Sequence, residues 1–297
     1  MTIGRRADKL DALQRLGKKS IRATDIAAQY WCEKQMELNY IKGPEITKEI
    51  LKGKEIHEEL ENETNIPIIL QTKSYADFMY KSLYTTYKAL ETLKENKKSR
   101  ELLLYGNIGK FRIVGKMDEL LLSNGDVVIV EDKTRATDKM PSEAQLKSHR
   151  AQVILYKKLL RDIISEEYNE DVFSKEYGIH RLSVTKEFER QLDALGVSKS
   201  IQSLPEITQK FFKEYRSIGR LSDTMVIRYI NQYTGKKIDN YKFKVSDEEL
   251  DGTISFALKY WNGEREALPV PYEEKWKCEY CMFFGKECKV WSPQKKL

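Results

Sequence analysis

Asp118, Glu131 and Lys133 lie in residues 111–135, FRIVGKMDELLLSNGDVVIVEDKTR, a segment whose apolar runs otherwise suit buried strands. Two β-branched-rich runs flank Asn124-Gly125, a pair suited to the positive φ angles of a two-residue hairpin turn. With that pair as the loop, Ser123 faces Asp126, and equal steps outward set Asp118 opposite Glu131. Directly opposed side chains on antiparallel strands have Cβ atoms about 4.5–5.5 Å apart, a separation that lets two carboxylates grip one divalent cation. Strand alternation puts Lys133 on the face of Glu131 and turns Asp132 the other way. An Asp followed by Glu-x-Lys also arises at the solvated rim of a sheet, so the rest of the chain must decide between the two.

A second group with metal chemistry is the cysteines. Cys32 stands alone near the start, and Cys278, Cys281 and Cys288 crowd the end among aromatic residues, WKCEYCMFFGKECKVW. Thiols of an intracellular chain stay reduced, and a Cys-x2-Cys pair there reads as a metal clip rather than a disulfide. Four thiolates suit tetrahedral zinc or an iron–sulfur cluster. Such a centre joins the two ends of the chain and couples metal binding to folding.

The elements that must position these groups follow from periodicity. Residues 22–38 carry helical spacing through Ile26, Tyr30, Cys32 and Leu38, with Thr24 as N-cap candidate. A helix over 48–62 runs through Ile50, Ile56 and Leu60 and carries His57 beside its apolar stripe, where a histidine is either a core hydrogen-bonding residue or a ligand. Residues 143–167 form a strong helix whose apolar face runs through Leu146, Val153, Leu159 or Leu160, and Ile163. Gln145, His149, Gln152 and Tyr156 share another side of it, an active-site wall or a solvated face. Residues 178–185 read as a strand, 187–215 as helix broken near Gly196 and Pro205, and 224–245 as a hairpin turning at residues 234–237. Ser246 and Glu249 predict a capping box for a helix over 247–262.

Between 73 and 100 the chain is basic and aromatic, and Tyr80, Tyr84 and Tyr87 recur at i, i+4 and i+7. That stripe either stacks on the bases of a single strand or packs into the core. The net charge of +6 over 297 residues fits a polyanionic partner and equally a Lys-rich soluble protein. No run approaches the roughly 18 apolar residues that span a bilayer, and the N-terminus lacks an apolar targeting core. The expectation is an intracellular protein with no membrane partner, cytoplasmic in a prokaryote or nuclear or mitochondrial in a eukaryote. It is expected to form one compact domain over 1–297 with a helical insertion at about 70–100 and a cysteine segment at 270–297.

The order His57, Asp118, Glu131-Asp132-Lys133, Gln152-x3-Tyr156 resembles the motif series of RecB-type nucleases of the PD-(D/E)XK class. One cysteine before that core and three after it resemble its iron–sulfur branch, most closely the exonuclease V family. TDIAAQYWCEKQ, GKEIHEEL, VGKMDEL, VEDKTR, QVILYK and WNGER…WKCEYC carry the likeness across most of the chain. CRISPR-associated RecB-like nucleases share this plan in shorter chains. Many relatives have an apolar residue where Asp132 stands.

The resemblance implies an α/β fold, a restriction-endonuclease-like core sheet flanked by helices, with a [4Fe–4S] cluster on Cys32, Cys278, Cys281 and Cys288 joining the N- and C-terminal segments. It implies that His57, Asp118, Glu131 and the backbone carbonyl of Asp132 hold Mg2+ or Mn2+, and that Lys133, Gln152 and Tyr156 act on water and substrate. Arg135 is the implied phosphate contact. The implied activity is metal-dependent exonuclease action on single-stranded DNA in repair or replication, in company with a single-strand-binding protein. The alternatives are a CRISPR-associated nuclease that trims DNA ends and a non-catalytic single-strand-binding module with a structural metal.

Overall fold

The structure, a computed structural model, describes residues 10–65 and 67–291. The readings for residues 1–9 and for 292–297 of the cysteine segment lie outside the described residues. The helices are α1 Ala12–Arg15, α2 Ala23–Lys42, α3 Lys48–Thr64, α4 Tyr75–Glu91, α5 Leu93–Asn96, α6 Glu143–Ile164, α7 Glu170–Tyr177, α8 Lys186–Ala194, α9 Leu204–Arg216 and α10 Asp247–Trp261. The strands are β1 Ile21–Arg22, β2 Lys98–Ile108, β3 Phe111–Ser123, β4 Asp126–Arg135, β5 Arg220–Leu221, β6 Met225–Asn231 and β7 Lys237–Phe243. They form one mixed sheet in the order β1-β3-β4-β6-β7, with β2 also on β3 and β5 also on β4.

The hairpin forms in the expected register. Asn124 and Gly125 take φ of 52° and 84°, and the ladder runs from Ser123↔Asp126 to Glu119↔Val130. There it stops. Beyond Val130, β4 leaves β3 and runs parallel to β6, from Val130↔Val226 to Arg135↔Asn231. The same side of β3 pairs with β1 only at Ile113 and Val114, so residues 115–118 have no strand partner there among the described residues. Asp118 therefore stands in a fork between two diverging strands, and its Oδ2 accepts the backbone N–H of Asp132 at 2.7 Å. The carboxylate takes the place of a missing ladder bond.

One continuous core joins Leu104, Ile113, Met117 and Ile129 of the sheet to Val153, Leu155 and Leu159 of α6. α4 belongs to this core, packing against β2 and α9. The helices around Gly196 break as expected, while Pro205 sits in the first turn of α9, where its missing N–H costs nothing. Residues 178–185 are not a strand. Gly178, at φ 66°, ends α7 and Thr185 caps α8, and the few residues between make a 3-10 turn that buries Ile179. The second hairpin turns over residues 232–236.

Two helix starts differ from expectation. α2 begins before Thr24, because Asp25 reaches back to the N–H of Arg22 at 2.9 Å and caps the helix from its third position. Ser246 Oγ accepts the N–H of Glu249 at 3.2 Å, but the Glu249 carboxylate pairs with Arg150, so half of the expected capping box is present. No helix among the described residues is long and apolar enough to cross a membrane.

Candidate active site

The fork in the sheet and one side of α6 meet around Glu131. Lys133 Nζ donates to Glu131 Oε1 at 2.6 Å and to Gln152 Oε1 at 2.9 Å. Gln152 Nε2 donates to Glu131 Oε1 and to Tyr156 Oη, both at 2.7 Å, and Tyr156 donates to the carbonyl of Lys116 at 2.7 Å. The i, i+4 spacing on α6 makes Gln152 and Tyr156 neighbours. Gly115 admits the tyrosine, since a Cβ there would lie 2.8 Å from Tyr156 Cε1. Burial and the neighbouring Glu131 charge push Asp118 well above the usual carboxylate range. Burial works to lower Lys133, but Glu131 and Asp118 outweigh it and raise its pKa.

Glu131 is 1% exposed, and its Oε2 is buried without a hydrogen-bond partner among the described residues. A buried carboxylate oxygen without a partner is costly. Beside Asp118, on which its charge acts, it fits a hard cation, for which carboxylate and carbonyl donors are suitable ligands. α3 brings His57 to the fork. Gly53, one turn earlier, lets the helix approach β4, because a Cβ there would meet Thr134 Oγ1 at 2.9 Å. His57 Nδ1 lies 3.5 Å from Asp118 Oδ1 and 3.7 Å from Glu101 Oε1.

Glu101 is a site residue that the sequence reading missed. Counting back from the turn between β2 and β3 sets it opposite Asp118, between the observed pairs Arg100↔Glu119 and Leu102↔Met117. Its φ of 57° is unusual for a non-glycine residue within a strand, and such backbone strain concentrates at functional sites. Burial works to raise its pKa, but His57 and Lys116, whose ammonium contacts the carboxylate, outweigh it and lower it. The signal was available: the arithmetic that pairs Asp118 with Glu131 across one hairpin pairs Glu101 with Asp118 across the other.

The Asp132 side chain turns away from Glu131 and is not a ligand there. Arg228 Nε donates to its Oδ1 at 2.6 Å and Arg228 Nη2 to its Oδ2 at 2.8 Å, while Arg100 binds the same carboxylate and Glu119. Burial opposes the charge of Asp132, but the two arginines outweigh it and hold its pKa below the usual range. The acid between Glu131 and Lys133 is thus paired behind the site, where its charge still acts on Asp118 and Lys133 more weakly than Glu131 does.

Lys133, Arg135, Thr134, His57 and Ile50 line one open cleft. Arg135 is held by its Nε to the carbonyl of Lys139 at 2.7 Å. His149 hydrogen-bonds Tyr229 at 3.0 Å, and burial, with Lys133 and Arg135 nearby, pushes its pKa down to about 3. Tyr80 and Tyr84 do not reach the cleft. Both are buried, Tyr80 donates to the carbonyl of Ile201 at 2.7 Å, and its ring packs edge-on against Phe188. Tyr87, half-buried, bonds Glu91. Tyr80 and Tyr84 belong to the core, where burial keeps their rings from stacking on bases, while Tyr87 is only partly covered.

The four cysteines line a separate cavity between α2 and the C-terminal segment. Cys32 is not inside a regular helix: with φ −167° and ψ 111° it kinks α2, and the N–H of Lys34, freed by the kink, donates to the carbonyl of Leu268 at 3.0 Å. The N–H of Gln35 donates to Cys32 Sγ at 3.4 Å. Burial and the three neighbouring thiols push up Cys278.

The sequence matches known proteins along most of its length. The family model described as "Exonuclease V - a 5' deoxyribonuclease" matches residues 8–128, 122–216 and 185–291. The Danio rerio protein named Exonuclease V is 26% identical over 299 residues, covering 91% of this chain and 70% of that protein. Exonuclease V, mitochondrial, of Candida tropicalis is 31% identical over 96 residues, 32% of this chain and 16% of that one. The crystal structure of SSO0001 superposes with a TM-score of 0.39 at 15% identity, covering 90% of this chain and 84% of that one. With its model matched from residue 8 to residue 291, the exonuclease V family of deoxyribonucleases is the one to which this chain belongs.

Proposed function

We propose that the protein is a metal-dependent exonuclease that hydrolyses the phosphodiester bonds of single-stranded DNA on a restriction-endonuclease-like core. The observation that carries this reading is the unpartnered Oε2 of Glu131 in a site that also gathers His57, Asp118 and Lys133. His57, Asp118, Glu131 and the carbonyl of Asp132 are the residues that would hold Mg2+ or Mn2+. Bound there, such an ion neutralises the phosphate, acidifies a water and stabilises the leaving oxyanion.

Lys133, fixed by Glu131 and Gln152, donates a hydrogen bond that orients the attacking water, and its ammonium charge assists deprotonation of that water by favouring the hydroxide. Gln152 links the lysine to Tyr156 and keeps both in register with Glu131. Arg135, beside Lys133 in the cleft, offers its guanidinium to a backbone phosphate. Ile50, in the same cleft, offers apolar surface to unpaired bases. Cys32, Cys278, Cys281 and Cys288 hold a [4Fe–4S] cluster with a structural role, tying α2 to the C-terminal segment. A place in DNA repair or replication, alongside a single-strand-binding protein, is the matching cellular role.

The test is an anaerobic nuclease assay on a labelled single strand, blocked in turn at its 5′ and 3′ ends, with Mg2+ and with EDTA. Metal-dependent shortening that needs a free end supports the reading and gives the polarity. Binding without cleavage under every metal tried overturns it in favour of a binding module.

A further inference from the structure

The cleft of Lys133 and Arg135 has a second wall, the turn from β6 to β7 over residues 232–236. Gln232 lines the cleft in company with Arg135, Thr137 and Gln145. It is only 4% exposed, and its Nε2 is buried without a hydrogen-bond partner among the described residues. A buried donor left unsatisfied is costly, so a cleft wall that keeps one is set up for an acceptor that arrives from outside. Tyr233 follows directly and is 67% exposed.

The turn is held firmly. Asn231 Oδ1 accepts the N–H groups of Tyr233 at 2.8 Å and Thr234 at 3.0 Å, while Asn231 Nδ2 donates to Asp138 at 2.7 Å. The N–H of Gln232 donates to the carbonyl of Arg135 at 2.9 Å, which ties the turn to the residue whose guanidinium lies in the cleft. Just before the turn the β6–β7 register slips between Tyr229 and Ile230, an irregularity of the kind that re-aims side chains next to active sites. A tyrosine on so fixed a backbone has little conformational freedom to lose on binding. The charge also has one sign: residues 232–237, QYTGKK, hold two exposed lysines and no acid. An amide donor beside a guanidinium favours an anionic oxygen, which in a nucleic acid is the phosphodiester.

We propose that Gln232 and Tyr233 complete a one-nucleotide clamp with Arg135: Gln232 Nε2 donates to the phosphodiester that Arg135 contacts, and the base of that nucleotide stacks on the Tyr233 ring. The inference rests on the single-strand reading given above and adds the residues that select an unpaired strand. Bases inside a duplex are stacked on their neighbours and have no free face for the ring, whereas every unpaired base offers one. Neither contact reads a base edge, so the clamp is indifferent to sequence. Tyr233 thereby takes the role that burial denies to Tyr80 and Tyr84 on α4.

The experiment is fluorescence anisotropy on the full chain, purified without oxygen and held in EDTA, with a labelled single strand and a blunt duplex, alongside cleavage assays in Mg2+. Tyr233→Ala should bind the single strand at least about fivefold more weakly with duplex affinity unchanged, and Tyr233→Phe should restore wild-type binding. Gln232→Leu should bind the single strand about tenfold more weakly, the loss for a hydrogen bond to a charged group. Replacing phosphates one at a time by neutral methylphosphonates should reveal one position that weakens wild type and has much less effect on Gln232→Leu. That variant should melt no earlier than wild type, because it removes an unsatisfied donor; a merely structural glutamine would lower the melting temperature and leave binding alone. Tyr233→Ala alters an exposed residue and decides the matter if Gln232→Leu does not fold. Single-strand affinity unchanged in the variants of a wild type that degrades the strand overturns the clamp and leaves the proposed function standing, as does an equal loss for single strand and duplex in Tyr233→Ala. A wild type that binds the strand without cleaving it overturns the proposed function while the variants still decide the clamp; one that neither binds nor cleaves overturns both.

Discussion

The carboxylate of Asp118 and the backbone amide of Asp132 are joined at 2.7 Å across the fork between β3 and β4, and the Asp132 side chain is anchored on the opposite side by Arg228 and Arg100. The Asp118 carboxylate is thus positioned through one residue of the neighbouring strand, whose side chain a buried charge network holds on the opposite face. Arg100, Glu119 and Asp132 are each 3% exposed or less. In so dry a place a half-removed pair is worse than none.

This arrangement sets the first prediction. Asp132→Val, which installs an apolar residue of the kind many relatives carry, leaves Glu119 alone to balance two arginines. Loss of about 3–5 kcal/mol in urea unfolding is expected, the usual cost of breaking a buried pair. Adding Arg228→Met should recover a large part of it. A double variant no more stable than the single one would show that the network does not act as a unit.

The second concerns the site itself. Lys133→Ala and Asp118→Ala should each lower cleavage by at least about 10²–10³-fold, the range for loss of one group that stabilises developing charge, while gel-shift affinity for a single strand stays within a few-fold. Either variant degrading DNA at the wild-type rate would show that the site is misassigned.

Much of this site was legible because strand arithmetic is local. Asn124-Gly125 sets a register that places Asp118 and Glu131 without any knowledge of the fold, and alternation correctly separates Lys133 from Asp132. The partners of Asp132 were hidden because Arg228 lies on β6, nearly a hundred residues away, and nothing local links the two. The kink at Cys32 was equally hidden: it frees the N–H of Lys34 to bond Leu268, at the far end of the chain. The tyrosine stripe on α4 was ambiguous for another reason, since a 3.6-residue period describes a base-stacking face and a core-packing face alike. Burial decides it.

That burial gives a third prediction, which separates core from cleft. Tyr80→Phe removes the bond to Ile201 and should cost about 0.5–1.5 kcal/mol of stability with no change in DNA affinity at a temperature where the protein is folded. Arg135→Ala should do the reverse, leaving the melting temperature nearly unchanged and reducing the salt dependence of single-strand binding by about 0.7 in the log–log slope, the value for one phosphate contact. If Tyr80→Phe weakens DNA binding without touching stability, the assignment of that ring to the core is wrong.

The cysteine cavity gives a fourth. Anaerobically purified protein should be brown, with broad visible absorption from thiolate-bound iron, and Cys32→Ser should lose colour and melt earlier, because the same centre ties α2 to the C-terminal segment. A colourless protein containing only zinc would exclude the cluster.

The last prediction is a pH dependence located at one residue. His149 is held neutral: burial lowers its pKa, Lys133 and Arg135 add to the effect, and it titrates at about 3 in the folded protein, against about 6.5 in an unfolded chain. The folded pKa being the lower one, the unfolded state takes the proton first, so the stability that depends on neutral His149 is complete above about pH 6.5 and is lost as pH falls toward 3. Asp118 shifts in the opposite sense and recovers stability on acidification, which masks the histidine in wild type alone. The comparison that isolates it is His149→Gln, which keeps a hydrogen-bonding group toward Tyr229 and cannot titrate. Urea midpoints measured from pH 7.5 down to 5 should fall more steeply in wild type than in the variant. Parallel curves would mean that His149 is as accessible to protons in the folded protein as in the unfolded chain, and that the wall of α6 beside Lys133 is wetter than its packing indicates.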